Sequence, residues 1–271
     1  MEARFAANAR NARDVSQRRS RPWRERVGAV TTTFVLPEKG PLTMPDDFAQ
    51  IPTAWIKDAD HARGLLAAYL TPGLFTGSLW DPAIERRLEP AARDLIDVED
   101  LYSPTLLSAP IRRSAGQAII ERKDEISEHL RGIDPEITLW HTNSVKVNAA
   151  LDCANELVAR LEAIDHIGWT KASKLVAAKR PKLIPIWDKQ VSRALGADKM
   201  SWHQYWAAWR RSLTPVVVDD LRELAVGVGH PNLSPLRTID IIIWMDEWGW
   251  KDLPTPHWDE LREACPSRHT Q

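Results

Sequence analysis

From residue 144 to residue 164 the apolar side chains of Val147, Leu151, Ala154, Leu157, Val158, Leu161 and Ile164 recur at helical spacing, which writes one face of a long helix for burial. After a turn over residues 165–169, a second helical pattern runs from 171 to 179. Pro181 and Pro185 then enforce an extended link to Asp188, where a third helix begins. Two helices that each bury a face, joined by so short a turn, pack against one another as an antiparallel hairpin. This stretch constrains the chain more than any other, because it demands helices packed on helices.

The remaining punctuation agrees. Helices are predicted over residues 61–70, from Pro82 towards Ile96, and over 114–130, with Ala115, Ile119, Ile126 and Leu130 along one face. Further helices are predicted over 201–213, over 215–226, and from Ser234-Pro235, an N-cap and first-turn pair, to near Met245. Ser144 is the expected N-cap of the long helix. Period-2 alternation is confined to residues 29–36, room for one strand. The expected fold is all-α. Residues 1–45 form a basic, flexible N-terminal segment, 46–250 a helical domain, and 251–271 a polar C-terminal tail. With 44% hydrophobic residues the chain has enough apolar surface for a sizeable core.

A net charge of −1 points to no polyanionic partner, but its distribution does. Residues 1–28 carry +5 and residues 168–196 carry +6, the latter from Lys171, Lys174, Lys179, Arg180, Lys182, Lys189 and Arg193 against Asp188 alone. Two basic segments on an acidic body suit a phosphate-bearing partner. The competing interpretation is a solvated face and a basic tail. No apolar run reaches the roughly 18 residues of a membrane span, and the first residues lack the apolar core of a secretory signal. Cys153 and Cys265 are few enough for a reducing compartment, so a cytoplasmic protein is expected.

The turn between the first two helices reads Ile164-Asp165-His166-Ile167-Gly168-Trp169-Thr170-Lys171. The pattern apolar-x-Gly-apolar-Gly makes a helix-hairpin-helix turn, whose backbone amides and following helix N-terminus cradle a DNA phosphate. Gly168 holds the second glycine position, and His166 stands at the first, where histidine accepts positive φ better than most residues. Downstream, Asp188, Val191, Arg193 and Leu195 are spaced as in the Pro-Val-Asp-x-x-Val-x-Arg-x-Leu segment of the helix-hairpin-helix DNA glycosylases, which residues 164–196 resemble. The stretch also resembles an uncharacterised bacterial domain family that shares Ala172-Ser173-Lys174-Leu175 and Arg180-Pro181-Lys182-Leu183-Ile184-Pro185, a likeness extending from about Phe75 to Met245.

The glycosylase resemblance implies DNA binding by His166, Gly168, Trp169, Thr170, Lys171 and Lys174, with Asp188 as the catalytic carboxylate. An aspartate there stabilises the cationic, oxocarbenium-like state through which a glycosidic bond breaks beside a flipped nucleotide. Members with lyase activity carry a lysine two residues after the second glycine; here that position is Thr170. Lys171 is one residue late, which turns its side chain about 100° away. The resemblance therefore implies at most a monofunctional base-excision enzyme.

Other interpretations stay open. Asp188 is also the expected N-cap of its helix, which suits a non-catalytic DNA- or RNA-binding module. A helical protein-interaction protein is the third possibility. Among thirteen tryptophans, Trp202, Trp206 and Trp209 share a face suited to the core, while Trp169 and Trp187 flank the proposed site. No metal or cofactor is expected. The eight histidines are dispersed, two cysteines cannot hold a four-cysteine iron–sulfur cluster, and no Walker A loop, nucleophile elbow or dinucleotide fingerprint occurs.

Overall fold

Side-chain caps set most of the helix starts. Asp58, Asp97, Asn143, Asp188, Ser201, Thr214 and Ser234 each accept a hydrogen bond from the first turn of the helix that follows. Pro215 and Pro235 occupy first-turn positions, where their missing N–H costs nothing. The computed structural model describes residues 51–249. The basic N-terminal segment, the strand expected over 29–36, the polar tail and Cys265 lie outside the described residues.

Twelve α-helices and no strand occur among the described residues. They are α1 (Ile51–Ile56), α2 (Ala59–Leu70), α3 (Trp80–Arg87), α4 (Val98–Leu106), α5 (Arg113–Ile120), α6 (Lys123–Arg131), α7 (Ser144–Glu162), α8 (Trp169–Lys179), α9 (Lys189–Ala194), α10 (Trp202–Ser212), α11 (Pro215–Gly227) and α12 (Pro235–Glu247). A 3-10 turn, Thr76–Leu79, leads into α3. No helix among the described residues is long and apolar enough to cross a membrane.

Two groups of helices pack around one core. In the first, α8 is surrounded by α7, α4 and α3, with α6 on the far side of α7. In the second, α12 packs on α2, α11, α1 and α9. Trp202, Trp206 and Trp209 are buried as their spacing predicted. Trp187 is buried too, stacked on Tyr205 at 4.5 Å between ring centroids.

Several boundaries differ from expectation. The helix predicted over 114–130 is two helices, α5 and α6, and the same apolar stripe stays buried across the break; no glycine or proline marks it. The helix starting near Pro82 begins at Trp80 and ends at Arg87, well short of Ile96. The N-cap of α7 is Asn143 rather than Ser144, whose hydroxyl instead accepts from Arg210. Helix α4 was not expected, because Pro104 lies inside it. Ser103 compensates: its hydroxyl donates to the Asp100 carbonyl that Pro104, lacking an N–H, leaves free.

The carboxyl end of α8 is tied into the first group by buried cations. Lys179 pairs with Asp100 at 2.5 Å, and Asp100 also accepts from Arg87 at 3.0 Å. Arg180 pairs with Asp94 at 2.5 Å and donates to the carbonyls of Ile133, Arg93 and Leu130. Burial pushes both Lys179 and Arg180 below their ordinary pKa, against the pull of these partners. Three of the seven cations counted as a basic segment (Lys174, Lys179 and Arg180) are therefore internal, and that segment is not a continuous basic surface.

Candidate functional site

The hairpin is present. Helix α7 closes at Ala163, the amide of Ile167 donates to the Ile164 carbonyl at 3.0 Å, and α8 starts at Trp169. His166 has φ +70°, so the left-handed residue of the turn stands at the position where the pattern has its first glycine. Gly168 is extended (φ −108°, ψ −179°) and is the N-cap of α8, with no side chain capping that end. Thr170 is the second residue of the helix. A Cβ built on Gly168 would meet nothing within 4 Å, so the space before the first amides of α8 is open.

Around this open end the side chains arrange themselves in two tiers. His166, Gly168 and Trp169 are exposed, and Lys171 is half-buried with its ammonium donating to the His166 carbonyl at 3.0 Å. Arg112 reaches His166 Nδ1 at 3.5 Å from the opposite rim. Residues Ser108 to Arg112, Thr170 and Lys171 line a shallow groove here. Ser108 is, besides His166, the non-glycine residue with positive φ among those described, at +57°. Ser108 lines the groove, and His166 borders it through Arg112 and Lys171.

Ser108 and Thr170 are shared with a deeper cleft of about 440 Å3 behind the hairpin, at the seam between the two helix groups. Asp188 lines it at the start of α9. Its Oδ1 accepts from the Gln190 amide at 2.8 Å, and its Oδ2 from Lys174 Nζ at 3.0 Å. Lys174 also donates to the Leu107 carbonyl at 2.7 Å and is only 4% exposed. It therefore departs from the expectation that placed it beside Lys171 as a phosphate contact: one turn further along the same helix face, that face is covered by Leu107 and Asp188 at the cleft wall.

The opposite wall comes from α2 and α12. Arg237, buried, donates to Asp240 at 2.6 Å, to Asp81 at 3.1 Å and to the Tyr69 hydroxyl at 2.7 Å. Tyr69, Phe75 and Trp244 form an aromatic corner with centroids 5.5 to 5.9 Å apart. Trp244 donates from Nε1 to Gln190 at 2.6 Å, which joins this corner to the α9 cap. Gly77 is required here, since a Cβ would fall 1.8 Å from the Tyr69 hydroxyl. Burial, with the neighbouring Asp188 charge adding to it, pushes Asp240 up to about 6 against the pull of Arg237.

The predicted residues thus divide. Thr170, Lys174 and Asp188 meet in the cleft, whereas His166, Gly168, Trp169 and Lys171 lie at the hairpin turn outside it. Trp169 is 45% exposed and rests edge-on against Trp187 at 4.7 Å; neither lines the cleft. Tyr69, Phe75, Gln190 and Trp244 gave no signal in sequence. Asp240 did: it is a carboxylate in an otherwise apolar stretch, and Arg237 is its partner. Among the described residues no three His, Cys, Asp or Glu side chains converge to hold a metal ion.

Among the described residues, an all-helical fold with a cleft beside its hairpin, between two helix groups, is what these features define. The chain belongs to the family of unknown function DUF6308, which it matches over residues 62–247. That span includes the hairpin and every side chain of the cleft named above. Neither a curated protein nor a solved structure matches the chain.

Proposed function

We propose that this is a DNA-binding helix-hairpin-helix protein that grips a phosphate at the Gly168 turn and draws a nucleotide into the cleft beneath it, as a monofunctional glycosylase-like base-excision enzyme. The observation that carries this reading is the shared lining of groove and cleft. Ser108 and Thr170 belong to both, so the uncapped end of α8 and the Asp188 carboxylate open onto one path. The turn supplies unoccupied amides for a phosphate, with Lys171 and Arg112 as flanking positive charge. Asp188, held by a cap bond and an ion pair, is positioned to stabilise a developing sugar cation. Thr170 at the lyase-lysine position supports hydrolysis rather than strand cleavage. Of the two lysines that line the cleft, Lys174 is bonded to Leu107 and Asp188, and Lys189 is exposed at the start of α9.

The test is binding of the full chain to a fluorescein-labelled duplex, followed by anisotropy from about 50 to 200 mM salt. A steep loss of affinity with salt is expected, weakened further by Lys171→Glu. No salt-sensitive binding at the lowest salt removes the reading.

One observation favours a second reading, a nucleic-acid-binding module without catalysis. Both oxygens of Asp188 already have protein partners, as a purely structural cap requires. Asp188→Asn separates the two: an enzyme keeps DNA affinity and loses base release, while a binding module has no release to lose. A large exposed tryptophan patch would favour a protein-interaction role. Among the described residues Trp169 is the exposed tryptophan, and it sits at the hairpin.

A further inference from the structure

The cleft holds two carboxylates with unlike surroundings. Asp188 enters from the cap of α9 and has both oxygens engaged. Asp240 enters from α12, and only its Oδ2 is bonded, to Arg237; Oδ1 has no partner among the described residues. An arginine at 2.6 Å ordinarily holds a carboxylate in its charged form. Here that guanidinium is divided among three groups, Asp240, Asp81 on α3 and the Tyr69 hydroxyl on α2. The charged and titratable groups around Asp240 are Arg237 on its own helix, Asp188 and Lys189 at the start of α9, Lys174 on α8, Tyr205 on α10 and Tyr69 on α2, with Asp81 reached through Arg237. Two carboxylates in one cleft, one committed to a cation and the other buried with a free oxygen, are suited to different parts of one reaction.

We infer that Asp240 is the proton donor of the cleft, delivering its proton to a ring nitrogen of a neutral nucleobase as that base leaves, across from the Asp188–Lys174 pair. The inference rests on reading the cleft as the site of a nucleotide. As the bond between the sugar carbon and the base nitrogen breaks, its electron pair passes to the base, and the base takes the Asp240 proton. The sugar carbon is left cationic, facing Asp188. A water adds there, and the proton it releases returns to the Asp240 carboxylate. The upward shift of Asp240 keeps a working fraction of the acid present near neutrality. A base already cationic through N-alkylation needs no such proton, so the substrate class is a neutral base that can accept one. The Tyr69–Phe75–Trp244 corner beside Asp240 gives such a ring an aromatic surface.

The experiment uses the full chain under single turnover with duplexes carrying hypoxanthine, uracil, mispaired adenine, 8-oxoguanine or N7-methylguanine. The released base is measured by mass spectrometry across pH. Release of at least one neutral base is expected, with a rate that falls as pH rises through about 6. Asp240→Asn is expected to slow that release by at least about 100-fold and to remove the pH dependence, while Asp240→Glu restores part of both. Any N7-methylguanine release changes only a few-fold in Asp240→Asn, roughly within ten. Release by Asp240→Asn at the wild-type rate overturns the inference. Should that variant fail to fold, a wild-type rate flat from about pH 5 to 8 overturns it equally. Salt-sensitive DNA binding with no base released from any duplex overturns the role of Asp240 and leaves the DNA-binding reading standing; no DNA binding overturns both.

Discussion

The two ends of α8 use the same residue type for opposite purposes. At the carboxyl end Lys179 and Arg180 are buried and fully tied, to Asp100, to Asp94 and to the carbonyls of two neighbouring segments. At the amino end Gly168 is bare, no side chain caps the helix, and Lys171 stays at the rim. Between them Lys174 belongs to neither pattern, being buried like the first pair yet paired with a carboxylate that lines a cleft. The contrast shows that a run of positive charge in sequence does not convert into positive surface. A helix enclosed on several sides spends most of its cations on internal ties, and only those at its open end are left for a partner.

The largest way to break the comparison is Arg180→Met. It leaves Asp94 and several buried carbonyls without their donor, and should cost about 3–5 kcal/mol in urea unfolding. DNA affinity of the folded fraction should not change. Next comes the pH dependence on the cleft side. Asp240 is raised from 3.8 to about 6, so the folded state holds its proton more tightly than the unfolded chain does. The stability this contributes is complete below about 3.8 and is lost as pH rises through about 6. The stability difference between wild type and Asp240→Asn should therefore fall by roughly 2–3 kcal/mol between about pH 4 and 7.5, measured by unfolding at each pH.

Asp188→Asn should matter less. Asparagine caps as well as aspartate, so the loss is confined to the Lys174 ion pair, about 1–2 kcal/mol in the same assay. Lys171→Glu should change stability by no more than about 0.5 kcal/mol, while lowering DNA affinity and reducing the salt slope by about 1. A stability loss at Lys171 as large as that at Arg180 would erase the distinction between the two ends.

Much of the fold was legible because helices with good caps and apolar stripes announce themselves locally. Helix α7, the Ser234-Pro235 start of α12, and the Asp188 cap all follow from a few adjacent residues. Helix α4 was hidden because its helix-breaking residue, Pro104, is rescued by the side chain of Ser103, a compensation visible only in three dimensions. The site was legible on one wall. Asp188, Thr170 and Lys174 are close in sequence and marked by the hairpin. The other wall unites Tyr69, Phe75 and Trp244 from distant segments, and no local pattern distinguishes a core aromatic from one lining a cleft. The placement of Lys174 turned on the same point, since its spacing fixes its helix face but not what that face meets.

Arg237 carries one more consequence. A single buried guanidinium fastens α2 through Tyr69, α3 through Asp81 and α12 through Asp240. Parting α2 from α12 would tear the buried Arg237–Tyr69 bond, charge-assisted and worth about 1.5–3 kcal/mol. That wall is therefore an anvil rather than a jaw. Where the cleft meets the groove its border is Ser108 and Thr170, on the hairpin side and away from this tie.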